Sequence, residues 1–310
     1  MSGARQCNST TEARCMDYER ISYRETTPLA LVIGCGDMGT GIARALARTY
    51  PVMIADIDAD RLEKTVAMLR AEGFWASGQV CNITSREQVA ALSERLRAGP
   101  GVRVLAHVAA LGNSPLGWRA VLDVDLIGAH LIAEAVGPHM VRGGVGIFIS
   151  SKGALFSRQS PEIDALLDAP HQPDFHERLA AAYGEDPHPI EAYFMAKRGM
   201  NRLSEALAVK WAAKDVRCLT VSPGFIDSTM ARTGGAQLPI RQGDKPTAVS
   251  EPRGEKMRRE VPLQRHGTLQ EVTEVVAFLA SDSSSYMTGI DMMIDGGQFA
   301  YARVRARQAN

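Results

Sequence analysis

The sequence predicts an α/β fold with a doubly wound, seven-stranded parallel sheet in a single domain, and three observations carry that prediction. Apolar runs of about five residues, too short for buried helices, alternate with stretches whose apolar residues recur at helical spacing. Each connection is long enough to hold a crossover helix, which makes neighbouring strands run parallel. Glycine and small polar residues cluster where the strands end, the edge at which such sheets take their ligands.

The chain is organised around Leu29 to Asp56. An apolar run, Leu29 to Ile33, leads into Gly34-Cys35-Gly36-Asp37-Met38-Gly39, then a helical stretch from Thr40 to Tyr50, then a second strand from Val52 to Asp56. The glycine spacing is GxGxxG. Gly34 permits a sharp turn, Gly36 lets a phosphate approach the backbone, and Gly39 lets the helix pack against the strand. Free amides at the helix start supply donors for a pyrophosphate. Asp56 follows Gly36 by twenty residues, where a carboxylate accepts hydrogen bonds from the adenosine ribose and repels the extra phosphate of NADP. Between two strands and ahead of such an acid, the turn is a Rossmann dinucleotide site, with NAD as the expected cofactor and NADP not excluded. No basic residue follows Asp56 directly, although Arg44 and Arg61 are near in sequence.

Further strands are predicted at Phe74 to Val80, Val102 to Val108, Val145 to Ile149, Val216 to Val221 and Gly289 to Ile294. Helices are predicted from Asp60 to Glu72, Ser85 to about Gly99, Trp118 to His139, Ala192 to Trp211, and Thr268 or Gln270 to Ala280. The segment 156–190 interrupts the alternation, with short helices from Ser160-Pro161 through Leu167 and from Asp174 through Tyr183. Met1 to Pro28 is polar and aperiodic and reads as a mobile extension. Thr233 to Pro262, rich in Gly, Pro and charge, reads as a loop over the substrate, and 303–310 as a solvated basic tail.

Composition excludes several function classes. Thirty-five basic and 35 acidic residues cancel in 310, and no basic block points to nucleic acid or a membrane surface. The scattered cysteines, Cys7, Cys15, Cys35, Cys81 and Cys218, lack metal-ligand spacing and indicate a reducing compartment. No run approaches the length of a membrane span and the start has no signal-peptide core, so the cytoplasm is expected. Cys35 is read as a small residue filling the turn. His171, His176 and His188 match no zinc motif, and no metal is expected.

The chemistry centres on Tyr193 and Lys197, a YxxxK pair one helical turn apart on one face. An ammonium beside a phenol lowers the phenol pKa, as a tyrosine acid/base requires. At this point the chain resembles the short-chain dehydrogenase/reductase family from Leu29 to Gly297. The resemblance rests on the glycine turn, Asp56, Ser151, Tyr193 and Lys197, the Pro223-Gly224-Phe225-Ile226 exit, and the ending from Ser281-Asp282 through Gly289 to Asp295-Gly296-Gly297.

The resemblance implies hydride transfer between nicotinamide and a secondary alcohol or ketone. Tyr193 would move the proton, Lys197 would tune it and bind the nicotinamide ribose, and Ser151 would hold the substrate oxygen. Gly34, Gly36, Asp37, Met38, Gly39, Asp56, Asn82, Ile83, Ala109, Tyr193, Lys197, Pro223, Ile226 and Ser228 are the expected cofactor contacts. It also implies a homo-oligomer, a dimer or tetramer, on the helices Trp118 to His139 and Ala192 to Trp211. A dinucleotide sensor without turnover and an epimerase or dehydratase of the same fold are the alternatives.

Four positions depart from the family pattern: the spacing of the glycine turn, Asn82 for an aspartate, His107-Val108-Ala109-Ala110 for Asn-Asn-Ala-Gly, and Asp125 for a catalytic asparagine. Asp125 is expected to act in a retuned proton relay through Lys197. Ser151 and Tyr193 stand 42 positions apart, far more than the family pattern. The extra segment is expected to roof the pocket with Phe156, Leu166, Leu167, Phe175, Leu179 and Tyr183. With Leu111, Phe156, Phe225 and Met230 as apolar candidates, the substrate is a moderately hydrophobic small molecule.

Overall fold

A strand buried on both faces reads as an unbroken apolar run, because alternate residues meet different helix layers. Leu29–Ile33 (β1) does this: all five residues are at most 4% exposed. Leu29, Leu31 and Ile33 pack in one layer and Ala30 and Val32 in the other. The computed structural model describes residues 26–112, 114–228 and 260–308. Its other strands are Val52–Asp56 (β2), Ala76–Val80 (β3), Val102–His107 (β4), Met140–Ile149 (β5), Arg217–Pro223 (β6) and Asp291–Ile294 (β7). They form one seven-stranded sheet in the order β3-β2-β1-β4-β5-β6-β7, with every pair parallel. The order reverses direction between β1 and β4, which opens a crevice at their carboxyl ends.

The first helices are Asp37–Ala47 (α1), Ala59–Ala71 (α2) and Arg86–Arg97 (α3). Asp58 and Ser85 cap α2 and α3, each accepting a backbone N–H three residues on, the reason these residue types start helices. The single helix expected from Trp118 to His139 is instead composite: Trp118–Leu122 (α4), a π turn over Asp123–Ile127, Gly128–Val136 (α5), and a 3-10 turn over Gly137–His139. The wide turn inserts a residue and re-aims side chains, which periodicity alone does not reveal.

Beyond β5 come Pro161–Asp168 (α6), Phe175–Tyr183 (α7), Pro189–Ala212 (α8), Leu269–Ala280 (α9) and Gln298–Gln308 (α10). Helix α8 starts earlier than the expected Ala192. His188 caps it in a reciprocal box with Glu191, and Pro189 occupies its first turn. The expected tail from Arg303 is helical as far as Gln308, with no buried residue.

The extra segment departs from expectation. Leu166, Leu167, Phe175 and Leu179 roof nothing; with Ile163 they pack on Trp118, Val121, Leu122 and Leu126 of the composite helix and on Ala192, Met195 and Ala196 of α8. The chain gains more by burying these side chains on two helices that present apolar faces than by leaving them over an open cleft. Polar ties fix the docking: Arg198 makes a two-pronged contact with Asp164 at 2.7 Å, and Arg202 pairs with Asp168. Over this length the chain itself covers these faces of the composite helix and α8.

The expected extension (1–25 of it), most of the Thr233 to Pro262 loop, Met230, Cys7 and Cys15 lie outside the described residues. Among the described residues no helix is long and apolar enough to cross a membrane.

Candidate functional site

The carboxyl ends of the strands frame one cleft of about 2100 Å³. Its lining holds every expected cofactor position, namely Gly34, Gly36, Asp37, Met38, Gly39, Asp56, Asn82, Ile83, Ala109, Tyr193, Lys197, Pro223, Ile226 and Ser228, and also Ser151. Asp125 is not in the lining; it is fully buried behind the wall.

At the β1 end the glycine turn has the geometry a dinucleotide needs. Gly34 sits at φ +94°, a conformation that side chains disfavour, and an added Cβ would press on the Ala109 backbone at 2.8 Å. A Cβ on Gly39 would overlap the Gly34 carbonyl oxygen, whereas one on Gly36 would meet nothing within 4 Å. Gly36 therefore borders open cleft at the start of α1, where a phosphate can reach the amides. The residues present fit a nicotinamide dinucleotide.

Asp56 is 7% exposed, and three donors converge on it. Cys35 donates its amide at 2.6 Å, Asp58 its amide at 2.9 Å and Arg61 its guanidinium at 3.1 Å. Burial pushes the carboxyl up, but these donors together outweigh it and hold Asp56 below the usual carboxylate range. Arg44, the other cation near the turn in sequence, pairs with Glu72 instead. Burial, with Asp56 beside it, pushes the Cys35 thiol up to about 11, so the residue fills the turn as an unreactive thiol. Asn82 keeps its side-chain oxygen for Thr84, at 3.0 Å to the amide and 2.8 Å to the hydroxyl, which leaves its NH2 group as donor.

At the β5 end, Ser151 caps the 3-10 turn Lys152–Phe156 by accepting the Gly153 amide at 3.0 Å. Its hydroxyl is in hydrogen-bonding reach of Tyr193 on α8. One turn on, Lys197 is 2% exposed, donates to the Ile149 carbonyl at 3.1 Å and stands 3.7 Å from Asp125. Asp125 projects from the π turn and accepts the Leu111 amide at 2.7 Å. Burial raises the Asp125 carboxyl against the pull of Lys197, and burial lowers Lys197 against the support of Asp125. Ser150 points the other way and donates to the Lys197 carbonyl at 3.1 Å.

Burial pushes the Tyr193 phenol up to about 12, Ser151 opposes that, and Asp125 adds to it. The Lys197 charge lies 5.5 Å from the ring centroid and is already committed to Ile149 and Asp125. Spacing on a helix gives adjacency but not the third group that competes for the ammonium.

The apolar candidates divide as well. Leu111, Phe156 and Phe225 line the cleft together with Tyr183. Sequence reading missed Lys152, Glu260 and Gln298, which also line it. A charged residue directly after Ser151 at a strand end was the available signal for the first; Gln298 comes from a helix that no apolar periodicity marks. The histidines serve locally: His188 caps α8, His171 lies 3.5 Å from Glu134 and His176 lies 3.0 Å from Asp123. Among the described residues no group of three or more His, Cys, Asp or Glu could hold a metal.

Comparison with known proteins agrees with this frame. Residues 28–160 match the family model described as short chain dehydrogenase, and residues 181–298 the one described as enoyl-(acyl carrier protein) reductase. The unmatched stretch between them falls within α6 and α7 and their linker. The chain is 28% identical to cis-4-hydroxycyclohexanecarboxylate dehydrogenase of Sinomonas cyclohexanicum, covering 88% of this chain and 96% of that protein. It is 25% identical to D-threitol dehydrogenase of Mycolicibacterium smegmatis, over 89% of this chain and 95% of the relative. The crystal structure of gox2181 superposes with a TM-score of 0.69 at 26% identity, over 89% of this chain and 97% of that one. The chain belongs to the short-chain dehydrogenase/reductase family of oxidoreductases, which bind nicotinamide dinucleotides.

Proposed function

We propose that this chain interconverts a secondary alcohol and a ketone with NAD(H) as its preferred cofactor. The observation that carries the reading is the convergence of Ser151, Tyr193 and Lys197 on one wall of the cleft whose other end holds the glycine turn and Asp56. A bound nicotinamide supplies the hydride acceptor or donor. Gly34, Gly36 and Gly39, with Asp37 and Met38, hold the pyrophosphate at the start of α1, and Asp56 takes the adenosine ribose. Asn82, Ile83 and Ala109 border the adenosine half, and Pro223, Ile226 and Ser228 the nicotinamide half.

In reduction with the cofactor bound, Tyr193 would give its proton to the carbonyl oxygen, and Ser151 would fix that oxygen by a hydrogen bond. A phenol held well above neutrality is protonated at pH 7, the form this step needs. Oxidation runs the same proton the other way and needs the phenolate, so its rate is expected to climb with pH through the alkaline range. Lys197 binds the nicotinamide ribose and passes its influence to Tyr193. Asp125, bound to the Leu111 amide and facing Lys197, sets the charge of that lysine and acts as a positioning residue.

Asp56 carries the NAD preference, because its carboxylate and a 2′-phosphate repel. Arg61, which pairs with it, is the residue that could admit NADP. We carry the homo-oligomer forward with its contact outside the helix faces covered by α6 and α7. Light scattering that finds only monomer removes it. The decisive experiment titrates NAD and NADH into the protein, then follows cofactor absorbance across a panel of ketones and secondary alcohols. Binding without hydride transfer favours the sensor reading, and product formed without net redox favours the epimerase or dehydratase reading.

A further inference from the structure

Lys152 follows Ser151 in the chain, and nothing in the proton path above uses it. It is only 8% exposed, yet its side chain borders the cleft. Its Nζ sits 3.0 Å over the centroid of the Phe225 ring and donates to Gln298 Oε1. That hydrogen bond occupies one of the three N–H donors of an ammonium.

Two acids stand nearby, Asp295 and Glu260. Asp295 accepts the Gly297 amide at 2.9 Å and the Phe299 amide at 2.7 Å, which ties it to the start of α10. Glu260 is 3.4 Å from Gln298 Nε2. Among the described residues neither forms an ion pair with Lys152; burial therefore wins over their longer-range pull and brings the ammonium down to about 7. Another cation on the cleft, Arg158, is exposed and donates to the Tyr183 carbonyl. Water solvates Arg158. Lys152 instead spends its charge inside the wall, and a buried ammonium with donors to spare is costly until a negative group completes it.

We infer that the substrate carries a carboxylate, held by Lys152 at the wall formed by Phe225 and Gln298 while Ser151 and Tyr193 hold the reacting oxygen. This rests on the redox reading of the site. Leu111 and Phe156 line the same cleft, so the proposal sets an apolar spacer between the carboxylate and the carbon that reacts. The substrate class is a hydroxy or keto acid whose two functional groups are not on adjacent carbons.

The test uses the full chain with NADH bound and compares 4-oxopentanoate, its methyl ester and pyruvate by NADH absorbance. Expected is a kcat/KM for 4-oxopentanoate at least about tenfold above both others. Lys152→Met should lower the value for the acid about a hundredfold, the scale for truncating one partner of a buried charge pair, while Lys152→Arg retains the preference for the acid. Equal values for acid and ester, or an acid preference that survives Lys152→Met, overturns the inference. A parallel titration of the NADH complex with benzoate and benzamide is independent of turnover. Benzoate must bind more tightly than benzamide and lose that advantage in Lys152→Met; benzoate no tighter than benzamide overturns the carboxylate site. Selective benzoate binding without turnover of any ketone upholds the site and removes the redox reading instead.

Discussion

The two ends of the cleft each hold a buried aspartate, and the two behave oppositely. Asp56 is surrounded by donors that come from its own neighbourhood, two backbone amides and one guanidinium, and its carboxyl sits below the usual range. Asp125 also has two backbone amides, those of Leu111 and Gly112, and one ammonium that is itself buried 3.7 Å away, yet its carboxyl is raised. Burial distinguishes them first: Asp125 is cut off from solvent, while Asp56 keeps some contact with it. With similar donors on both, the depth of burial decides whether a carboxylate is a fixed charge or one that trades its proton with a neighbour.

The largest expected effect sharpens the Asp125 end. Tyr193→Phe should lower kcat by roughly 10³-fold, within the usual range for a general acid or base, with NADH affinity kept. Steady-state rates and cofactor fluorescence measure the two quantities, and near-full activity would break the assignment.

Asp125→Asn comes next, with a fall in kcat of about tenfold to a hundredfold, comparable to an outer hydrogen-bonding partner of a catalytic group. Asp125 raises Tyr193, so its removal should move the tyrosine limb of the alcohol-oxidation profile to lower pH. Profiles that superimpose would remove Asp125 from the proton path.

At the other end, Asp56→Asn should weaken NAD about tenfold, the equivalent of one lost charged hydrogen bond. It should also narrow the gap to NADP, as read by parallel titrations. An unchanged NAD to NADP ratio would mean that Arg61 and the backbone alone set the preference.

The smallest effect concerns stability. Because the folded pKa of Asp56 is depressed, its contribution is present above the unfolded value of about 3.9 and is lost as pH falls through the folded value. Asp56→Asn should therefore flatten the acid limb of Tm by about 2 °C below pH 4. A limb of unchanged slope would place the acid sensitivity elsewhere.

The unequal legibility of the two ends has the same origin. The Asp56 end is local: glycines, a helix start and an acid lie within one crossover, and each is demanded by backbone geometry that the sequence displays. The Asp125 end is assembled from the π turn, β5 and α8, elements far apart in the chain. Sequence spacing predicted that Tyr193 and Lys197 would be neighbours. It did not show that Lys197 would be held by Ile149 and Asp125, or that the phenol would be pushed up. The extra segment shows the same limit: its apolar residues were visible, but two other helices chose the face that buried them.

By itself, then, the sequence determined the parallel α/β sheet, the glycine turn and the adjacency of Tyr193 and Lys197, because strand runs, glycine spacing and one helical turn are properties of neighbouring residues. The tertiary structure decided which face the extra segment covers, how Asp125 meets Lys197 and why Lys152 is left with donors to spare. Those depend on which charges share a buried volume, and the cost of burying a charge is set by every group around it, wherever in the chain it comes from.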